Sequence, residues 1–264
     1  MEGSMKKGRL IAAGLTLAFA QLPLCHTLAQ GDDFGLWAET NIEKKLNRNM
    51  ELEAGLELRT RDDVGELDRW SASIGVSYKL LSWLKASADY SLLMDNNHKV
   101  NTSGKKFSDY WGARHRLNVS LTASQSFGDL SISLRERWQY TYRPEKTVDR
   151  YWNYTDEDDD RYYGDPVVKK GITETHTYRG KGSNKWRNRL QLKYKLTKMW
   201  RPYVSAESTV GGSGMDKMRY SLGTEIRLTK QHWLDVKYLY QHTYKDDDSE
   251  GNRHVIGIGY AYKF

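Results

Sequence analysis

From Phe34 onward the chain alternates. Leu36, Ala38, Thr40 and Ile42 stand against Trp37, Glu39, Asn41 and Glu43, and Met50, Leu52, Ala54, Leu56 and Leu58 against Glu51, Glu53, Gly55, Glu57 and Arg59. Successive side chains of a strand point to opposite faces, so a period of two with one apolar face predicts strands. The pattern recurs over 70–78, 84–92, 117–123, 130–142, 190–196, 218–228 and 234–240, and more weakly over 201–209, where Pro202 sits at the start. A strand tolerates proline there. Glu136 interrupts the apolar face of its segment. The final segment sets Ile256, Ile258, Tyr260, Tyr262 and Phe264 against Gly257, Gly259 and Ala261, and the chain stops on an aromatic residue.

The connections sort into two kinds. Those near 47, 82, 128, 198 and 230 are short, whereas 61–68, 95–113, 144–184 and 243–252 are longer, with a glycine-rich turn at 211–214 on the same side. Short and long connections alternate, as periplasmic turns and extracellular loops do in an antiparallel transmembrane β-barrel. Trp70, Trp138 and Trp186 fall near the longer loops and Trp83, Trp200 and Trp233 near the short turns, which predicts two interfacial girdles. A soluble antiparallel sandwich predicts neither regularity. About ten strands are expected, with twelve as the alternative, because the segments number about eleven and bacterial single-chain barrels are even. With the last strand running toward the periplasm, residues 34–45 start on the wrong side. They are expected inside the lumen, or balanced by a further strand hidden in 144–184.

Composition sharpens this. A mean hydropathy of −0.78 does not argue against a membrane barrel, which needs only half of each strand to be apolar. The 18 Tyr and 9 Trp suit aromatic girdles. Lys6, Lys7 and Arg9 precede the apolar run 10–24, and Thr27-Leu28-Ala29 follows, the form of a cleaved signal peptide over 1–29. Residues 30–264 are then a single barrel domain bound for the outer membrane. Its expected partners are outer-membrane lipid, lipopolysaccharide and, during insertion, the barrel-assembly machinery, which would read Tyr260, Tyr262 and Phe264. The only cysteine, Cys25, falls in the leader, and Leu24 before it is larger than lipoprotein processing accepts. Disulfides and thiol catalysis drop out. The net charge is +7, but the basic residues alternate with apolar ones, so nucleic acid is excluded as a partner.

Three stretches carry a resemblance: Phe34-Gly35-Leu36-Trp37, the segment Arg219-Tyr220-Ser221-Leu222-Gly223-Thr224-Glu225-Ile226-Arg227-Leu228, and Gly257-Ile258-Gly259-Tyr260-Ala261-Tyr262-Lys263-Phe264. With them the chain resembles small outer-membrane barrels of Gram-negative bacteria grouped as a domain of unknown function. The resemblance implies fold and location and brings no activity.

Candidate chemistry lies on the polar face. Arg59, Arg69, Arg116, Arg135, Arg137, Arg187, Arg189, Arg219, Glu225 and Arg227 are expected to face the lumen. They either fill a narrow barrel with paired charges or line a pore that favours small polar or anionic solutes. His242, Asp246, Asp248 and His254 form a weaker metal-site alternative. A barrel hydrolase acting on lipid or peptide at the outer rim is the enzymatic alternative. His115 and Ser120 do not supply it, because their odd spacing puts them on opposite faces. The 144–184 loop, as a surface for an external ligand, is a third reading. The acidic run 156–160 is not an EF-hand, since Arg161 stands where such a loop needs glycine. No cofactor is expected.

Overall fold

The computed structural model describes residues 32–103, 106–152, 174–244 and 251–264. The leader, Cys25, the acidic run 156–160, Asp246 and Asp248 lie outside them. Each alternating segment is a strand: β1 (Asp33–Lys45), β2 (Met50–Arg61), β3 (Glu66–Lys79), β4 (Leu84–Val100), β5 (Lys106–Phe127), β6 (Leu130–Arg143), β7 (Lys146–Trp152), β8 (Glu174–Tyr178), β9 (Lys181–Tyr194), β10 (Trp200–Gly211), β11 (Gly214–Arg227), β12 (His232–Thr243) and β13 (Arg253–Lys263). Eleven of them close into a barrel in the order β1-β2-β3-β4-β5-β6-β9-β10-β11-β12-β13.

The closure resolves the parity conflict. β1 pairs with β13 in parallel, Leu36 with Ile256, Ala38 with Ile258 and Ile42 with Tyr262. Residues 34–45 are therefore neither inside the lumen nor balanced by a twelfth strand. They are wall. The even count follows when every neighbouring pair is antiparallel, and one parallel seam removes that requirement. The seam keeps apolar side chains of both strands outside and sets Trp37, Glu39 and Asn41 against Gly257, Gly259 and Ala261 inside. Lys263 reaches Glu43 across it at 2.6 Å, and Lys45 N donates to the Phe264 carbonyl at 2.9 Å.

Two expected loops are partly strand. β4 and β5 stay paired as far as Val100 opposite Phe107, with Asn96 opposite Trp111 and His98 opposite Asp109. The described parts of 144–184 form the β7–β8 hairpin, in which Lys146 faces Tyr178 and Arg150 faces Glu174. β7 also adds Tyr151 to Phe107 of β5. Ladder hydrogen bonds do not need an apolar face, and the alternation fades where both faces meet polar surroundings. The hairpin is tied by Glu174, which accepts from Lys106 at 2.9 Å and Arg150 at 3.2 Å. Phe107 is buried between His98 and Tyr151.

The short turns share a device. The Asn47 side chain accepts from the N–H groups of Asn49 and Met50. Thr197 does the same for Met199 and Trp200, and Thr229 for Gln231 and His232. Such side chains satisfy turn donors that the ladder leaves open. The β5–β6 turn uses Gly128 at φ 62°, a conformation glycine adopts without strain. Replacing Thr229 by alanine is expected to lower stability by about 1 kcal/mol, read as a shift in the denaturant midpoint.

Candidate functional site

The interior is layered. Toward the long-loop end two carboxylates act as hubs. Asp95 is held by both Arg69 and Arg114, and Asp68 by Arg253 at 3.2 Å and Arg61 at 3.6 Å. Leu93, Gln241 and Val255 are almost wholly buried at this level. Trp37 packs with Leu239 and Val255, and its ring lies under the Arg59 guanidinium at 3.8 Å and near that of Arg219 at 5.3 Å. Gly257 leaves room for the Lys237 side chain, because a Cβ there would stand 2.7 Å from Lys237 Cγ. Ion pairs and apolar side chains together thus pack the interior toward the long-loop end.

Mid-barrel, arginine predominates. Glu207 accepts from Arg135 at 2.6 Å, is clamped by Arg187 and has Arg219 at 3.8 Å. Glu57 takes a two-pronged contact from Arg59, 2.8 Å on each prong. Arg137 donates to the Ser120 hydroxyl at 2.8 Å and has Asp89 at 3.7 Å. Arg116 and Arg189 differ. Both line the cavity, and among the described residues neither forms an ion pair or a hydrogen bond; the Nε of Arg116 is buried without a partner. A buried polar group without an acceptor is costly, which applies to the Arg116 Nε, whereas Arg189 is half-buried at the cavity wall.

Toward the short turns the charges are Glu–Lys pairs: Glu39 with Lys237 at 2.7 Å, and Glu225 with Lys193. Tyr203 donates to Asp235 at 3.1 Å. Gly223 gives the Tyr203 ring its place, because a Cβ there would stand 2.7 Å from the phenol and 2.9 Å from Lys237 Cβ. Gly223→Val is expected to displace Tyr203 and cost about 1–3 kcal/mol, measured by chemical unfolding of the folded barrel.

The cavity is off centre. It measures about 520 Å³ and runs between the arginines and a wall on β2 to β4 made of Gly55, Ser71, Ser73, Gly75 and Ser91 together with the carboxylates Glu53, Glu57 and Asp89. Its lining meets that of a second cavity of about 450 Å³ at Glu53 and Glu51 on β2 and at Gly75 and Ser77 on β3. The second cavity reaches the short turns and carries Lys45, Arg48, Lys79 and Lys85 against one carboxylate, Glu51.

Of the residues expected in the lumen, Arg59, Arg116, Arg135, Arg137, Arg187, Arg189, Arg219 and Glu225 line the larger cavity. Arg69 is instead buried against Asp95. Arg227 sits at the short-turn rim, donating to the Thr229 carbonyl at 3.2 Å. Trp233, expected in a girdle, faces inward, with Arg201 at 4.8 Å and Lys263 at 5.6 Å from its ring. Its register partner Ala261 is on the small inner face of β13, so the phase of the pattern already places it there. Trp37, Leu93, Leu239 and Val255 carry no chemical signature that marks them as the outer closure. Tyr260, Tyr262 and Phe264 lie on the outer wall, where Tyr260 meets His232 Nδ1 at 2.6 Å.

Of the metal alternative, Asp246 and Asp248 lie outside the described residues, and only its two histidines are placed. His254 Nδ1 is 2.6 Å from the Tyr238 hydroxyl, and His242 packs edge-on against Tyr244. Both belong to the outer face, and among the described residues no group of three metal-binding side chains converges.

The chain is similar in fold to the translocator domain of the autotransporter NalP from Neisseria meningitidis. The TM-score is 0.55 at 11% identity, over 90% of this chain and 93% of that one. The β domain of the Bordetella autotransporter BrkA matches at a TM-score of 0.48 and 13% identity, over 82% of each chain. No curated protein matches the sequence. The fold is that of outer-membrane β-barrels, and the family model that matches residues 34–261 is DUF2490, a protein of unknown function. The chain belongs to the DUF2490 family.

Proposed function

We propose that this is a non-enzymatic outer-membrane barrel whose lumen receives small anionic solutes from the periplasmic side and narrows toward the cell surface to a constriction that passes only small inorganic ions. The observation that carries this reading is the pair Arg116 and Arg189, two lumen cations without acceptors among the described residues, facing a cavity whose opposite wall combines serine and glycine with the carboxylates Glu53, Glu57 and Asp89. Lys45, Arg48, Lys79 and Lys85 at the short-turn mouth bias the approach the same way, since cationic linings favour anions. The short turns would lie in the periplasm, the β4–β5 and β7–β8 hairpins outside, and the aromatic outer wall in lipid. Export through a cleaved leader and insertion by the barrel-assembly machinery complete the proposed route.

Planar-bilayer recording of the refolded protein across a salt gradient tests the reading. Small anion-preferring currents are expected, with the preference reduced in Arg116→Gln/Arg189→Gln. Cation preference, or large unselective steps, would contradict it.

A further inference from the structure

The outer wall carries one anomaly. Between the two rims, among the described residues, Glu136 is the only Asp, Glu, Lys or Arg that faces outward. It does not stand alone. Its register partner is Asn188 on β9, and the partner of Asn188 is Ser208 on β10. The three make a polar row across adjacent strands. Just inward lies the row Leu134, Leu190 and Ala206, and just outward the pair Trp138 and Trp186. Glu136 is exposed, and among the described residues the side chains of Glu136, Asn188 and Ser208 form no hydrogen bond. Lipid tails offer neither donor nor acceptor, so each of these groups is unfavourable on a lipid-facing wall.

We infer that the β6–β9–β10 wall is covered in the membrane by a second copy of this chain. The row contains an acceptor, the Glu136 carboxylate, together with two donors, the Asn188 amide and the Ser208 hydroxyl. In a two-fold interface the same patch is used by both copies. A two-fold axis at Asn188 therefore faces the acceptor-and-donor row of one copy with the same row of the other, and no additional partner chemistry is needed. Ala206 and Ser208 are small enough to let the walls approach, and Trp138 and Trp186 flank the contact. The inference rests on the membrane placement proposed above and is independent of what the lumen carries.

The test uses the full barrel in lipid vesicles with Cys25→Ser as background and heat-dependent gel mobility as the check that each variant has folded. Asn188→Cys is expected to form a disulfide-linked dimer under mild oxidation. Ala54→Cys on β2, which also faces outward, is expected to stay monomeric. Single-molecule photobleaching should give two steps for the parent protein and mostly one for Glu136→Leu. One-step bleaching of the parent, or equal crosslinking at 54 and 188, would overturn the inference. So would an undiminished dimer in Glu136→Leu. In native outer membranes, a crosslink from 188 to a chain of different mass would overturn the choice of occupant.

Discussion

Glu207→Gln lowers the stability of the folded barrel by about 3–5 kcal/mol, the scale found when one partner of a buried ionic group is removed. Glu207 is 6% exposed and is the only carboxylate, among the described residues, within ion-pair distance of Arg135, Arg187 and Arg219. Neutralising it removes the negative charge that three guanidinium groups share. Glutamine keeps the shape and one acceptor oxygen, so the loss reports charge rather than packing. The check is equilibrium unfolding in urea with the gel shift as readout. The same substitution adds positive charge beside the cavity, so the surviving folded fraction should show stronger anion preference. A midpoint unchanged from the parent would mean that water, not Glu207, balances those arginines.

Trp37→Ala has the second large effect, and on a different property. Trp37 is 5% exposed, packed between the Leu239–Val255 contact and the guanidinium of Arg59. Truncating a buried aromatic in a dry core costs about 3–5 kcal/mol. Here water can enter from the adjoining cavity, so the expected cost is nearer about 2 kcal/mol. The larger consequence is conductance. Removing the ring opens a gap beside Arg59 and Arg219 in the outer closure, and single-channel current should rise several-fold while staying anion-preferring. An unchanged current would place the closure elsewhere, with the Asp95 and Asp68 hubs as the next candidates.

The sequence carries the wall of this barrel and little of its interior. Leu52 to Leu58 against Glu51 to Arg59 gives strand, face and approximate ends of β2 because lipid demands an unbroken apolar side. The same demand stops at the membrane edge, which is why the strand residues 95–100, 106–113, 146–152 and 174–178 read as loop. The seam is hidden for another reason. Alternation fixes which face a residue occupies but not which strand lies beside it, so it cannot show that β1 runs parallel to β13. Pairings such as Glu207 with Arg135 and Arg187 depend on register and on strands distant in sequence. For that reason the set of lumen arginines is legible, whereas the distinction between Arg187, clamped by Glu207, and Arg189, without an acceptor among the described residues, is not.

The claim on which the functional reading depends is that the lumen admits organic anions from the short-turn side alone, the long-loop end passing only small inorganic ions. Ser73 lines the cavity on the small-residue wall, and Ser73→Cys in a Cys25→Ser background gives that wall one reactive thiol. In vesicles of known orientation, a sulfonate-bearing methanethiosulfonate is predicted to modify the thiol at position 73 from the short-turn side faster than its trimethylammonium counterpart does. Neither reagent should reach it from the long-loop side. Equal rates from both sides, or faster reaction of the cationic reagent, would contradict the account.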